Sequence, residues 1–132
     1  MTAPFSISRL PRIEFGAGSL RKLPAIAGGF GRRLLLVTGQ SSFEGSPGWA
    51  WLSEAWAARG FVWERVRVSG EPSPPLVDGA VAQFRKQNFD VVVGIGGGSV
   101  LDAAKAIAGL LRTGHSVTDH LEGVGPERPY CG

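Results

Sequence analysis

The sequence predicts an α/β fold in which a parallel sheet is flanked by helices. Three observations carry this. β-rich apolar runs alternate with segments of helical period, the rhythm of βαβ units. Glycine and proline punctuate the joins. A buried strand, Val91 to Ile95, also runs through a glycine turn into an alanine-rich helix.

Taken in order, Ile13 to Phe15 reads as a first short strand. Ser19 is the expected cap of a helix reaching about Ala27 and ended by Gly28 and Gly29. Arg33 to Val37 is an unbroken apolar run after its first residue, as in a strand buried on both faces. Trp49, Leu52 and Trp56 recur at helical spacing between Pro47 and Gly60, so they are expected in the core. Phe61 to Val68 alternates imperfectly and reads as a strand. Leu76 to Gln87 reads as a helix ending before Asn88, and Val91 to Ile95 as the central strand.

The glycine turn after that strand carries the chemistry. Gly96, Gly97 and Gly98 let a ligand approach where a Cβ would collide, and the N–H groups of the helix that follows point outward with the positive end of its dipole behind them. A diphosphate suits such a place. The Gly-Lys-Ser/Thr ending of a Walker loop is absent, and the G-x-G-x-x-G fingerprint fits only in part, because Ser99 stands at its third glycine. A local alternative makes Ser99 an N-cap with Asp102 as its capping-box partner, which leaves three successive glycines unexplained.

The chain of 132 residues is read as one domain, residues 1–132, with 20 glycines, about double the usual share. The net charge of +3 is spread over Arg9, Arg12, Arg21, Lys22, Arg32, Arg33 and others, interleaved with apolar residues. No nucleic-acid-binding signature accompanies these charges, so they are expected either to form a solvated surface or to help attract an anionic cofactor; no nucleic-acid partner is expected. No apolar run is long enough to span a bilayer, and the Met1 to Phe5 start lacks an export signal. With the single Cys131, this points to a cytoplasmic protein with no membrane partner.

Gly96-Gly97-Gly98-Ser99-Val100-Leu101-Asp102-Ala103-Ala104-Lys105 resembles the Gly-Gly-Gly-Ser-x-x-Asp-x-x-Lys signature of the iron-containing (group III) alcohol dehydrogenases. Ile13 to Leu20, Leu34 to Gly39, Gly70 to Pro74 and His120 to Gly123 are similar to other stretches of that family, so the resemblance covers nearly the whole chain. It implies a Rossmann-like amino-terminal domain of the dehydroquinate-synthase-like kind. A helical domain with an Asp and three His ligands for iron or another divalent metal would belong to the intact parent only. The intact enzyme would transfer hydride between a small alcohol or aldehyde and NADP or NAD. Related glycerol dehydrogenase or maleylacetate reductase types, or a non-catalytic nucleotide-binding module, stay open, as does a homo-oligomer.

By the same resemblance, the Gly96 to Ser99 turn would bind the dinucleotide, with Gly97, Gly98 and Ser99 holding the pyrophosphate and Asp102 near the nicotinamide end, while Lys105 would be structural. Ser73 stands where the family often has Asn near the ribose or nicotinamide. Gly39, Gln40, Ser41 and Ser42 follow the second strand, where an acid would bond a free ribose and repel a 2′-phosphate; Gly39 supplies none, so NADP is expected to bind at least as well as NAD. His115 and His120, five apart, would lie on different faces of a helix and are expected as separate surface residues, with Asp119 beside the second. No catalytic residue and no metal ligand is expected in this chain.

Overall fold

The computed structural model describes Pro4 and residues 9–129. Cys131 and, apart from Pro4, the Met1 to Phe5 start lie outside the described residues. A 3-10 turn over Ser19–Lys22 leads into α1 (Leu23–Gly28), followed by β1 (Arg33–Thr38) and α2 (Pro47–Ala58). Next come β2 (Val62–Arg67), α3 (Pro74–Phe84), β3 (Val91–Ile95) and α4 (Gly98–Leu110), with 3-10 turns at Arg85–Gln87 and Val117–His120. The expected α/β architecture is therefore present.

The strands form a parallel sheet in the order β2-β1-β3. The central strand is β1, which corrects the expectation for Val91 to Ile95. β3 lies at an edge and is mostly half-buried, whereas Leu34, Leu35, Leu36 and Val37 of β1 are fully enclosed. Helices cover both faces of β1, which is why its sequence is a continuous apolar run. Leu35 and Val37 join Val77, Val81, Ala103 and Ile107 under α3 and α4. Leu34 and Leu36 face the other way, onto Ala27, Leu52 and Trp56 of α1 and α2. Trp56 is fully buried and meets Trp63 at 5.6 Å between ring centroids, while Trp49 packs edge-on to Trp63 at 6.2 Å. Trp56 is core, as its spacing predicts, and Trp49 packs against that core partly buried.

The sheet is tied together at its amino-terminal end by a side chain rather than by the ladder alone. Asp90 accepts the backbone N–H groups of Arg32 and Arg33, each at 2.9 Å. These two bonds, the one from Arg33 weighing more, hold its carboxyl below the usual carboxylate range. Gly31, at φ 145°, has no Cβ to collide with that carboxylate.

Two local expectations are corrected. Residues 13–15 form no strand: Phe15 is fully exposed and Ile13 is 77% exposed. A strand needs a hydrogen-bonding neighbour, and none among the described residues lies beside this segment. It is instead held by Glu14, whose carboxylate pairs with Arg12 and Lys22. Ser19 is not a cap either. Gly18, at φ 78°, occupies that position, and Ser19 begins the 3-10 turn with its N–H on the Gly16 carbonyl. The side chains that do cap helices are Ser46 on α2 and Ser73 on α3.

Candidate functional site

β1 is followed by a crossover to β2 on one side, and the chain then returns past it to β3 on the other. A crevice therefore opens between the carboxyl ends of β1 and β3, where ligands of open α/β sheets bind. Thr38 is level with Ile95 across this gap. Gly39 follows one strand and Gly96 the other, and a Cβ built on Gly39 would stand 4.0 Å from Val100 Cγ2 in the first turn of α4. The fold thus brings together two of the stretches that the sequence singles out, the Gly39 loop and the Gly96 turn.

The glycines of the turn divide by function. A Cβ on Gly94 would come within 2.7 Å of Ala104 Cβ, and one on Gly96 within 2.7 Å of Val100 Cγ2. These two are required by the seating of α4 on β3, so the reading of Gly96 as room for a ligand gives way to internal packing. Gly97 and Gly98 differ: a Cβ on either would meet no protein atom within 4 Å, and neither has positive φ. No internal contact demands a glycine there.

α2 and α3 begin on serine caps, whereas α4 begins on Gly97 with no side-chain cap. Ser99 is the second residue of α4 rather than its cap, and Asp102 lies in the following turn, so the capping-box alternative is not what the chain adopts. The first N–H groups of α4 have no intrahelical acceptor, as at any helix start. They sit behind open space at Gly97 and Gly98, the arrangement in which a helix end receives an anion.

The other candidates are placed as follows. Gln40, Ser41 and Ser42 are exposed beyond Gly39. Ser73 lies after β2 and accepts the Leu76 N–H at 3.4 Å as the cap of α3. Asp102 is exposed on α4, with Lys105 3.8 Å away and also exposed. An open groove of about 680 Å³ adjoins Gly96, walled by Leu20, Leu23, Ile26 and Ile95. A separate cavity of about 250 Å³, lined by Phe84, Asp90 and Arg112, lies at the opposite end of β3.

Sequence reasoning missed two basic residues beside the Gly39 loop. Glu44, the first carboxylate after Gly39, is bound by Arg65 and Arg67, the latter at 2.6 Å. Arg65 is mostly buried and its guanidinium lies 4.4 Å from the centre of the Trp49 ring, while Arg67 is half-exposed at the end of β2, level with Thr38. The period-2 pattern of β2 put both arginines on the Trp63 face, and that alternation was the available signal.

His115 and His120 do not lie on opposite faces of a helix. His115 is in the loop after α4 and His120 ends the last 3-10 turn, with their ring nitrogens 3.2 Å apart.

The profile of the family described as iron-containing alcohol dehydrogenase matches residues 11–130. A long-chain primary alcohol dehydrogenase, AdhA, of Thermoanaerobacter ethanolicus is 33% identical over 74% of this chain and 26% of its own length. A probable NADH-dependent butanol dehydrogenase 1 of Bacillus subtilis is 35% identical over 74% of the chain and 25% of its own length. Among solved structures, NADH-dependent butanol dehydrogenase A from Thermotoga maritima superimposes with a TM-score of 0.82 at 26% identity, over 96% of this chain and 32% of that one. An iron-containing alcohol dehydrogenase from the same organism gives 0.68 at 37% identity, over 75% and 28%. The chain spans about a quarter of the length of the curated relatives it matches.

Proposed function

Because this chain belongs to the iron-containing alcohol dehydrogenase family, we propose that it is the NAD(P)-binding amino-terminal domain of such an enzyme, seating the cofactor's diphosphate at Gly97, Gly98 and Ser99. One observation carries this reading: Gly97 and Gly98 face open space in front of an uncapped helix start, at the switch point of the sheet. When bound, the nicotinamide accepts or gives up hydride, and the intact parent would exchange it with a small alcohol or aldehyde. Gly39, Gln40, Ser41 and Ser42 would border the adenosine ribose, with Ser73 and Asp102 as outer contacts. No three His, Cys, Asp or Glu side chains among the described residues group to hold a metal, so these residues do not fit the iron of the family.

The reading extends to cofactor choice. Two relatives are named as NADH-dependent. In this chain Gly39 offers no carboxylate to repel a 2′-phosphate, Glu44 is already held by Arg65 and Arg67, and Arg67 is half-exposed at the adjoining strand end. NADP is therefore expected to bind at least as tightly as NAD. No described helix is long and apolar enough to cross a membrane.

Calorimetric titration of the chain with NADP, NAD and AMP tests the proposal. Binding of a dinucleotide at one site per chain, tighter than AMP and lost in Gly98→Val while the circular dichroism spectrum is retained, is the expected result. Equal binding by the folded variant would place the site elsewhere.

A further inference from the structure

The histidine pair lies apart from the glycine turn, where the segment after α4 returns along α3. Asp78 of α3 anchors that segment by accepting the Ser116 hydroxyl and the Val117 N–H, the latter at 2.8 Å. The turn is closed by a capping box between Ser116 and Asp119. His115 precedes this turn and His120 ends it, so two side chains five residues apart meet with ring centroids separated by 5.3 Å. Both imidazoles are partly exposed.

The hydrogen bonds define the tautomers. His120 Nδ1 lies 3.0 Å from the Arg128 carbonyl oxygen, which can only accept, so Nδ1 carries the proton. In the neutral ring Nε2 is then the acceptor, and it faces His115 Nδ1 at 3.2 Å. Histidines that bind metal ions usually donate their other ring N–H to a carbonyl or carboxylate, which orients the ring and leaves the ligating nitrogen basic, and His120 has that arrangement.

The separation of the two nitrogens agrees. With metal–nitrogen bonds of about 2.0–2.1 Å, two cis ligands stand about 2.9 Å apart at right angles and about 3.4 Å apart in a tetrahedron. The observed 3.2 Å lies between these values. We infer that His115 Nδ1 and His120 Nε2 form a two-histidine site for a late first-row divalent ion such as Cu²⁺, Ni²⁺ or Zn²⁺. The ion takes the place of the proton shared between the rings, and the His115 N–H moves to Nε2 by exchange with solvent, so both imidazoles bind as neutral ligands. The Asp119 carboxylate is turned to the Ser116 N–H, which it accepts. No third His, Cys, Asp or Glu among the described residues completes a cluster with them. This departs from the expectation that the two histidines are separate and hold no metal.

The test is titration of the whole chain with ZnCl₂, NiCl₂, CuCl₂ and MgCl₂ by calorimetry, in parallel with imidazole ¹H–¹⁵N correlation spectra. The expected result is one ion per chain, tightest for Cu²⁺ and undetectable for Mg²⁺. Ring resonances of His115 and His120 should shift together, and binding should weaken in acid as protons compete for both nitrogens. His115→Ala and His120→Ala should each weaken Zn²⁺ binding by at least the roughly 10–100-fold that loss of an outer partner costs. Wild-type protein that binds no ion at one per chain, or a folded double variant that binds as well as wild type, overturns the inference. The wild-type spectra decide the matter even if a variant fails to fold.

Discussion

Gly96 sits directly beneath Val100, so that a Cβ on the glycine would stand 2.7 Å from the Val100 Cγ2. Two residues further on, a Cβ on Gly98 would touch nothing. Neighbouring glycines of one motif thus answer to different constraints, one to the core and one to the space outside it. Gly96→Ala should destabilise the fold by about 1–3 kcal/mol through overpacking. Gly98→Ala should leave the fold intact or stabilise it by about 0.4–1 kcal/mol, because alanine narrows the unfolded ensemble without strain. The same Gly98→Ala chain should bind dinucleotide at least about tenfold more weakly, about 1.4 kcal/mol. Urea denaturation and calorimetry on both variants check this. A Gly98→Ala protein that is stable and binds normally would remove the diphosphate from this turn.

Cofactor preference is expected to move toward NAD in variants of both Gly39 and Arg67, one adding a carboxylate and the other removing a cation. Gly39→Asp should shift the ratio of dissociation constants toward NAD by about 1–3 kcal/mol, through a new ribose hydrogen bond and repulsion of the 2′-phosphate. Arg67→Ala should weaken NADP more than NAD, since only the former offers a phosphate to that guanidinium. An unchanged ratio in both variants would mean that the ribose lies away from this strand end.

Asp90 makes the stability of the sheet sensitive to acid. Its folded-state pKa is depressed, first by the Arg33 N–H and then by the Arg32 N–H, so the carboxylate's contribution is fully present above the unfolded value of about 3.9. As pH falls through the folded value, that contribution is lost. Wild type should exceed Asp90→Asn in thermal midpoint near neutrality, and the difference should shrink once the pH drops below about 4. A gap that stays constant down to about pH 2 would show that the charge on Asp90 contributes nothing.

The anchor at Asp78 gives a local readout. Asp78→Ala removes acceptors for the Ser116 hydroxyl and the Val117 N–H, a net loss of about 1 kcal/mol for each bond. Amide exchange at Val117 should accelerate while β1 amides stay protected, because the segment opens without the sheet. Equal protection at Val117 in both proteins would mean that burial of Val117, not the carboxylate, holds the turn.

The elements with strong periodicity were legible in the sequence. The apolar run of β1, the Trp49–Leu52–Trp56 stripe and the strand-glycine-helix unit all stand where the pattern places them. Each signals a demand that a single element makes of its own residues, namely which face is buried and where the backbone must turn. Ile13 to Phe15 misled for the complementary reason: its composition suits a strand, yet a strand is a relation between two segments, and no described segment lies beside it.

Residue order alone determined that this chain would make βαβ units and carry a glycine turn between the strand at Val91 to Ile95 and the helix after it. Tertiary structure decided the rest. It put β1 at the centre, assigned Gly96 to Val100 and Gly98 to open space, set Arg67 beside the Gly39 loop, and closed His115 onto His120. The physical reason is range. Propensity, capping and hydrophobic period act over a few residues and are written locally, whereas the room around a Cβ, or the partner of an imidazole, depends on which distant segment the packed chain brings alongside.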